Sequence, residues 1–282
     1  MQEHPVLFHA VEGIATITLN RPDTLNAMTN ALMQGVTDSL LAVERDQSIR
    51  AVILTGNGRG FCAGADLSGG ANTFNREADG RGLGADGGGL LTLRMYKCLK
   101  PLISACNGPA VGVGATMQCA MDIRLASETA RYGFVFARRG LVPEACSSWF
   151  LPRIVGIQTA LEWTYSGRVF EAAEALERGL VRSLHKPDDL LPAARQLARE
   201  FTQQTSPVSV ALIRHMMWKM LGEDHPVEAH NIDSRGIFYR GQSADAQEGV
   251  QSFLEKRDAD FPGKVSTDMP EYYPWWEERQ FE

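Results

Sequence analysis

The chain reads as an α/β protein with a helical C-terminal tail, and three observations carry that reading. Apolar strand-like runs alternate with amphipathic helical stretches over the first two thirds, and from Gly156 onward the pattern turns mainly helical. Two glycine-rich turns, at Phe61–Leu67 and Asn107–Thr116, each close a buried strand and open toward a helix. The 282 residues, 44% hydrophobic and 22% charged, can bury a large core in one domain or in a domain with an appendage.

The elements follow in order. Gly13–Leu19 alternates as a strand does, and Asn20-Arg21-Pro22-Asp23 breaks it. Met28, Leu32, Val36, Leu40 and Val43 recur at helical spacing, predicting an amphipathic helix over Met28–Glu44. Ala51–Thr55 is a short buried strand that ends in the turn Gly56-Asn57-Gly58-Arg59-Gly60, and Phe61–Leu67 is a second strand-to-turn unit. Ser68–Gly89, rich in Gly, Ala, Asp and Asn, has no periodic apolar face and reads as a mobile surface loop, with Asp86-Gly87-Gly88-Gly89 as its hinge. A helix near Leu90–Leu99, a strand at Leu102–Cys106, a helix from about Gly112 to Met121 and a strand at Ile123–Ala126 come next. Later helices are expected at Glu171–Arg178 (capped by Gly179), Asp188–Gln203, Val208–Leu221, Pro226–Tyr239 and Ser243–Asp258.

Composition excludes several function classes. No apolar run approaches the roughly 18 residues of a membrane span. The N-terminus lacks a basic flank followed by an apolar stretch, so a cytoplasmic location is expected. A net charge of −6 argues against broad phosphate-backbone binding, so no nucleic-acid partner is expected. Five cysteines without CxxC spacing read as reduced, buried thiols. The six histidines show no metal-ligand spacing, and His225 and His230, five apart, read as surface residues, so no metal site is expected. There is no GxxxxGK[ST] loop, no complete GxGxxG and no GxSxG elbow.

Glycines in the two turns let a ligand approach the backbone, and two N–H groups converging from separate turns are what an oxyanion hole requires. One such donor is worth about 3 kcal/mol of transition-state stabilisation. Each turn taken alone also reads as a structural tight turn.

The resemblance becomes specific in NRPDTLNAM (Asn20–Met28), AVILTGNGRGFCAGADL (Ala51–Leu67) and NGPAVGVGATMQCAMDIRLAS (Asn107–Ser127). It continues in GLVPEACSSWFLPRIVG (Gly140–Gly156), SGRVFEAAEALERGLV (Ser166–Val181) and EGVQSFLEKR (Glu248–Arg257). In order and spacing these segments resemble the crotonase (enoyl-CoA hydratase/isomerase) superfamily over nearly the whole chain. The resemblance implies a crotonase-like ββα spiral core over residues 1–200, with a C-terminal helical region, 201–282, for trimerisation and coenzyme A contacts. It implies a thioester carbonyl held by the backbone N–H groups of Ala65 and Val113. Coenzyme A would lie along Ala63, Ala65, Asp66, Leu67 and Ser68, with Gly112 and Val113 at the thioester. Phe253 and Lys256 match positions that touch coenzyme A across a subunit boundary. The implied partner is an acyl-CoA thioester, with no separate cofactor because coenzyme A is part of the substrate, and the implied assembly is a homotrimer or a dimer of trimers.

The acid/base set decides which reaction such a site performs. The two glutamates that hold water in the family's hydratases fall at Thr116 and Phe136, neither of which transfers protons near neutral pH. Glu144, after Pro143, matches instead the position of the catalytic carboxylate in the Δ3,Δ2-enoyl-CoA isomerase branch. One carboxylate suffices to move a proton from C2 to C4, and it works best where apolar neighbours raise its pKa; Phe134, Phe136, Trp149 and Phe150 are the candidates. Read locally, Glu144 serves equally well as a cap for a helix beginning near Ala145. Asp66 reads as a turn carboxylate bonded to its own backbone, and Thr116 as packing inside its helix, with orientation of a water as the alternative. The expected activity is isomerisation of a 3-enoyl-CoA to a 2-enoyl-CoA. The alternatives are hydration of a trans-2-enoyl-CoA and a non-catalytic acyl-CoA-binding subunit. The aromatic tail Pro270–Glu277 is expected to dock on its own or a neighbouring subunit.

Overall fold

In the computed structural model of the protein, which describes residues 4–75, 77, 84–279 and 281, the chain opens with a hairpin. Strand β1 (Val6–Val11) pairs antiparallel with β2 (Ile14–Leu19), and all further pairings in this sheet are parallel. Helix α1 (Asn30–Arg45) leads to β3 (Ala51–Gly56), and α2 (Gly87–Lys97) to β4 (Leu102–Cys106). Then come β5 (Ala110–Val111), α3 (Val113–Cys119), β6 (Ile123–Ser127), β7 (Arg131–Gly133), α4 (Ser147–Ser166), β8 (Val169–Glu171), α5 (Ala172–Glu177) and β9 (Ser183–His185). Four helices finish the chain: α6 (Leu190–Thr202), α7 (Pro207–Met220), α8 (Pro226–Gly241) and α9 (Ala244–Glu255). The main sheet runs β1-β2-β3-β4-β6-β9, and a smaller one runs β5-β7-β8.

The parallel strands are apolar on both faces because both faces are covered. Val52 and Leu54 of β3 join Leu32, Val36 and Leu40 of α1 in the larger core. Ala51 and Ile53, on the other face, meet Leu190, Ala194 and Leu197 of α6. This is the α/β core and helical tail that the alternating pattern predicts.

Two expectations need correction, and a third falls partly outside the described residues. The run Asp86-Gly87-Gly88-Gly89 is not a hinge: it is the head of α2, where the Asp86 side chain caps the helix by accepting from Gly89 N at 2.6 Å. Phe61–Leu67 forms no strand of its own, only isolated bridges, Cys62 to Ala110 and Ala65 to Met28. Part of the expected Ser68–Gly89 loop, residues 76 and 78–83, lies outside the described residues; Gly70–Asn72 forms one 3-10 turn.

The aromatic tail docks on its own chain. Tyr273 donates to or accepts from His215 Nδ1 at 2.8 Å, Trp276 lies edge-on to the same imidazole, and Lys219 sits 3.9 Å above the Trp276 ring. All five cysteines are free thiols, four of them buried. No helix among the described residues is long and apolar enough to cross a membrane.

Candidate active site

The two glycine-rich turns lie side by side because the strands they follow, β3 and β4, are parallel neighbours. Cys62 N donates to Pro109 O at 3.0 Å and Val111 N returns to Cys62 O at 3.0 Å. The approach requires glycine: a β-carbon on Gly114 would stand 2.0 Å from Cys62 O. Gly64 and Gly112 both take positive φ, 107° and 54°, which side-chain-bearing residues rarely adopt.

A third segment, Leu25–Met28, runs along the first turn. Ala63 N donates to Leu25 O, Met28 N to Gly64 O and Asp66 N to Met28 O, at 3.0, 2.7 and 2.9 Å. In the second turn Gly112 N donates to Gly133 O at 2.9 Å, and Val113 is the first residue of α3. The N–H groups of Ala65 and Val113, like those of Gly64 and Gly114 beside them, have no acceptor among the described residues.

Glu144 reaches the same region from the loop before α4. Its main-chain oxygen accepts from Ser147 N (3.0 Å) and Ser147 Oγ (2.7 Å), so the backbone, and not the carboxylate, serves the helix start. Ala145 and Cys146 both sit in the left-handed region, at φ 57° and 55°, strained for residues with a β-carbon. That double reversal sends the carboxylate inward. Oε1 accepts from Thr116 Oγ1 at 2.5 Å, and Oε2 faces the bare Cα of Gly88 in the first turn of α2. Thr92 of α2 ties the loop down by donating to Ala145 O at 3.0 Å.

Burial pushes the Glu144 carboxyl up from its ordinary 4.5 to about 7. The Thr116 hydroxyl opposes that shift by stabilising the anion, and the Asp86 carboxylate adds to it. A group with this pKa exchanges protons readily near neutral pH.

The sequence candidates separate into those the fold brings together and those it does not. Ala63, Ala65, Asp66, Leu67, Ser68, Gly112, Val113 and Glu144 belong to this cluster of turns. Asp66 behaves as a turn carboxylate: it accepts from Ser68 N at 3.0 Å and pairs with Arg21 at 3.0 Å. The hydrogen bond from Ser68 is the main cause holding its carboxyl below the ordinary value. Phe253, 81% exposed, lies on α9, which packs on α8, and Lys256 caps the end of that helix in the left-handed region. No hydrogen bond or ion pair among the described residues links their side chains to the Ala63–Ser68 turn.

Of the aromatic candidates, Phe134 stacks on Trp163 and Phe170, while Trp149 and Phe150 pack with Tyr96 and Trp218. The carboxylate's hydrogen-bond partner is the Thr116 hydroxyl, and an added β-carbon on Gly88 would meet its Oε2. What sequence reasoning missed is the contact between Thr116 and Glu144. A threonine inside a helix gives no sign that its hydroxyl faces a carboxylate 28 positions away. His225 is exposed and caps α8, and no group of three or more His, Cys, Asp or Glu side chains among the described residues could hold a metal.

Comparison with known proteins gives the family. Residues 9–264 match the family model described as enoyl-CoA hydratase/isomerase. An enoyl-CoA hydratase of Alternaria alternata is 39% identical over 247 residues, 87% of this chain and 82% of the relative. The 1,2-epoxyphenylacetyl-CoA isomerase of Escherichia coli (strain K12) is 35% identical over 272 residues, 92% of this chain and 98% of the relative. The crystal structure of an enoyl-CoA hydratase from Bacillus anthracis superposes with a TM-score of 0.84 at 28% identity, covering 92% of this chain and 99% of that one. The chain belongs to the enoyl-CoA hydratase/isomerase family and has the crotonase fold.

Proposed function

We propose that the protein isomerises a 3-enoyl-CoA to a 2-enoyl-CoA, with Glu144 as the single acid/base. The observation that carries this reading is a half-buried carboxyl raised to about 7, in a site whose other two candidate acid/base positions hold Thr116 and Phe136.

In this reading the Ala65 and Val113 amides receive the thioester oxygen. Polarising that carbonyl acidifies C2. Glu144, as the carboxylate, takes a proton from C2; the C–H electron pair passes into the conjugated system, and negative charge collects on the thioester oxygen. The same carboxyl then returns the proton at C4, and the double bond moves from C3–C4 to C2–C3. Coenzyme A belongs to the substrate, and its binding is assigned to Ala63, Ala65, Asp66, Leu67, Ser68, Gly112 and Val113. Phe253 and Lys256 are assigned to coenzyme A held by a neighbouring subunit. Exposed apolar residues on α8 and α9, among them Ile237 (78%) and Leu254 (69%), support a homotrimeric assembly.

The test offers the protein a 3-enoyl-CoA and, separately, a trans-2-enoyl-CoA, following the absorbance of the conjugated thioester. Conversion of the first, abolished in Glu144→Gln, is expected. Rapid loss of the second by water addition would assign hydration instead, and binding of both without turnover would make the chain an acyl-CoA-binding subunit.

A further inference from the structure

Thr116 stands between the two halves of the site. Its hydroxyl has one proton to donate and two acceptors within reach: Glu144 Oε1 at 2.5 Å, and Gly112 O, one turn back, at 3.3 Å, an oxygen that also accepts from Ala115 N and Thr116 N at 2.9 Å each. The residue is fully buried, so bulk water does not take that proton. Gly112 C=O and Val113 N–H are the two ends of one peptide group, and a hydrogen bond to one end polarises the other.

Resting on the isomerase reading, we propose that Thr116 is a positioning residue that couples the acid/base to the oxyanion donor, through a hydroxyl that switches between Glu144 and the Gly112–Val113 peptide. Before reaction the carboxylate is the stronger acceptor and holds the Thr116 proton. When Glu144 takes the proton from C2 it becomes a neutral, weaker acceptor. The hydroxyl then turns to Gly112 O, and Val113 N–H becomes a stronger donor as charge reaches the thioester oxygen. Returning the proton at C4 reverses the turn. No proton leaves Thr116 at any stage, so the relay adds no step to the balance of the reaction.

Other groups acting on Glu144 do not duplicate this. Cys62 in the first turn, Cys119 in α3 and Cys146 at the head of α4 are thiols that burial pushes upward, the first two to about 12, so they stay neutral. Asp86, at the head of α2, is the remaining charge. It accepts from Gly89 N and Ala145 N and has no recorded contact with Gly112.

Two readouts test the coupling without turnover, so failure of the isomerase assignment would leave both interpretable. The first is the infrared band of the protonated Glu144 carboxyl, identified by its loss in Glu144→Gln and followed against pH. Thr116→Val should raise its midpoint by about one pH unit, and Thr116→Ser should restore it. The second is the enolate absorbance of bound acetoacetyl-CoA in the Glu144→Gln background, where residue 144 is permanently neutral. Adding Thr116→Val there should lower the bound enolate fraction about three- to tenfold, and adding Thr116→Ser should not. An unmoved carboxyl midpoint in Thr116→Val would overturn the first half of the proposal. Equal enolate fractions with and without the Thr116 hydroxyl would overturn the coupling itself.

Discussion

Gly88 makes room for Glu144: a β-carbon at residue 88 would stand 2.0 Å from Glu144 Oε2, with the Ala145 side chain and Asp86 Oδ1 each 3.1 Å away. Gly88→Ala therefore separates helix propensity from catalysis. On an open helix the change favours folding by about 1 kcal/mol. Here it must displace the carboxylate, and a misplacement of about 1 Å is expected to lower kcat roughly a hundredfold. Turnover of a 3-enoyl-CoA beside a thermal melt checks both; a fully active Gly88→Ala enzyme would contradict the placement.

In the proposed reaction the Glu144 carboxyl also sets a pH dependence. With a pKa raised to about 7, the base form is lost as pH falls below that value. The isomerase kcat/KM of the free enzyme should rise through about pH 7 and level off above it, and Glu144→Gln should lower it by about a thousandfold or more.

The same carboxyl works against stability at alkaline pH. Folded, it keeps its proton up to about pH 7; unfolded, it releases it near 4.5. The folded state binds the extra proton in that window. Its contribution to folding is fully present below about 4.5 and disappears as pH rises through 7, an effect on the order of 3 kcal/mol. Glu144→Gln should thus unfold at higher urea concentration than the parent at pH 8, with little difference at pH 5.

Arg214 holds the far end of α2. Its guanidinium is buried and donates to Asp122 Oδ2, Met95 O, Tyr96 O and Cys98 O, at 2.8, 3.0, 2.9 and 2.5 Å. Arg214→Met strands those carbonyls and leaves the Asp122 carboxylate only Leu102 N and Trp218 Nε1 as donors, and should cost about 3 kcal/mol in urea unfolding. The midpoint of the kcat/KM profile should stay where it was, since neither Arg214 nor Asp122 touches Glu144.

His215 carries the opposite sign. Burial first, then Arg214 and Lys219, push its pKa down from 6.5 to about 4. The unfolded chain binds the proton more readily, so acidification from about 6.5 to 4 removes stability, on the order of 3 kcal/mol in all. Removing residues 270–282 takes Tyr273 and Trp276 off the imidazole. It should return the His215 titration, followed by NMR, toward its ordinary value and flatten that acid limb.

Much of the fold is legible in the sequence because buried parallel strands and amphipathic helices leave strong patterns. Val52 and Leu54 alternate with Ala51 and Ile53 toward two different cores, and α1 keeps Leu32, Val36, Leu40 and Val43 on one stripe. Strand β1 was not legible: it is an edge strand with five exposed residues of six, so no buried face imposes alternation. The start of α2 was misread because Gly87-Gly88-Gly89 has the weakest helix propensity short of proline, and the Asp86 cap and packing around Glu144 override it. In the site, Glu144 and the two turns were legible as motifs. The Thr116 contact was not, since it joins α3 to a loop through two strained residues that no local pattern announces.

The unpartnered amides of Ala65 and Val113 have a consequence for how this protein can be dissected. An alanine scan removes side chains and leaves peptide groups in place; at residue 65 it changes nothing at all. A conventional mutational map would test Glu144 and pass over the half of the proposed site made of main chain. Replacing the amide before Ala65 or Val113 with an ester, by semisynthesis, deletes one donor while leaving every side chain intact. It is the substitution that would make the hidden half measurable.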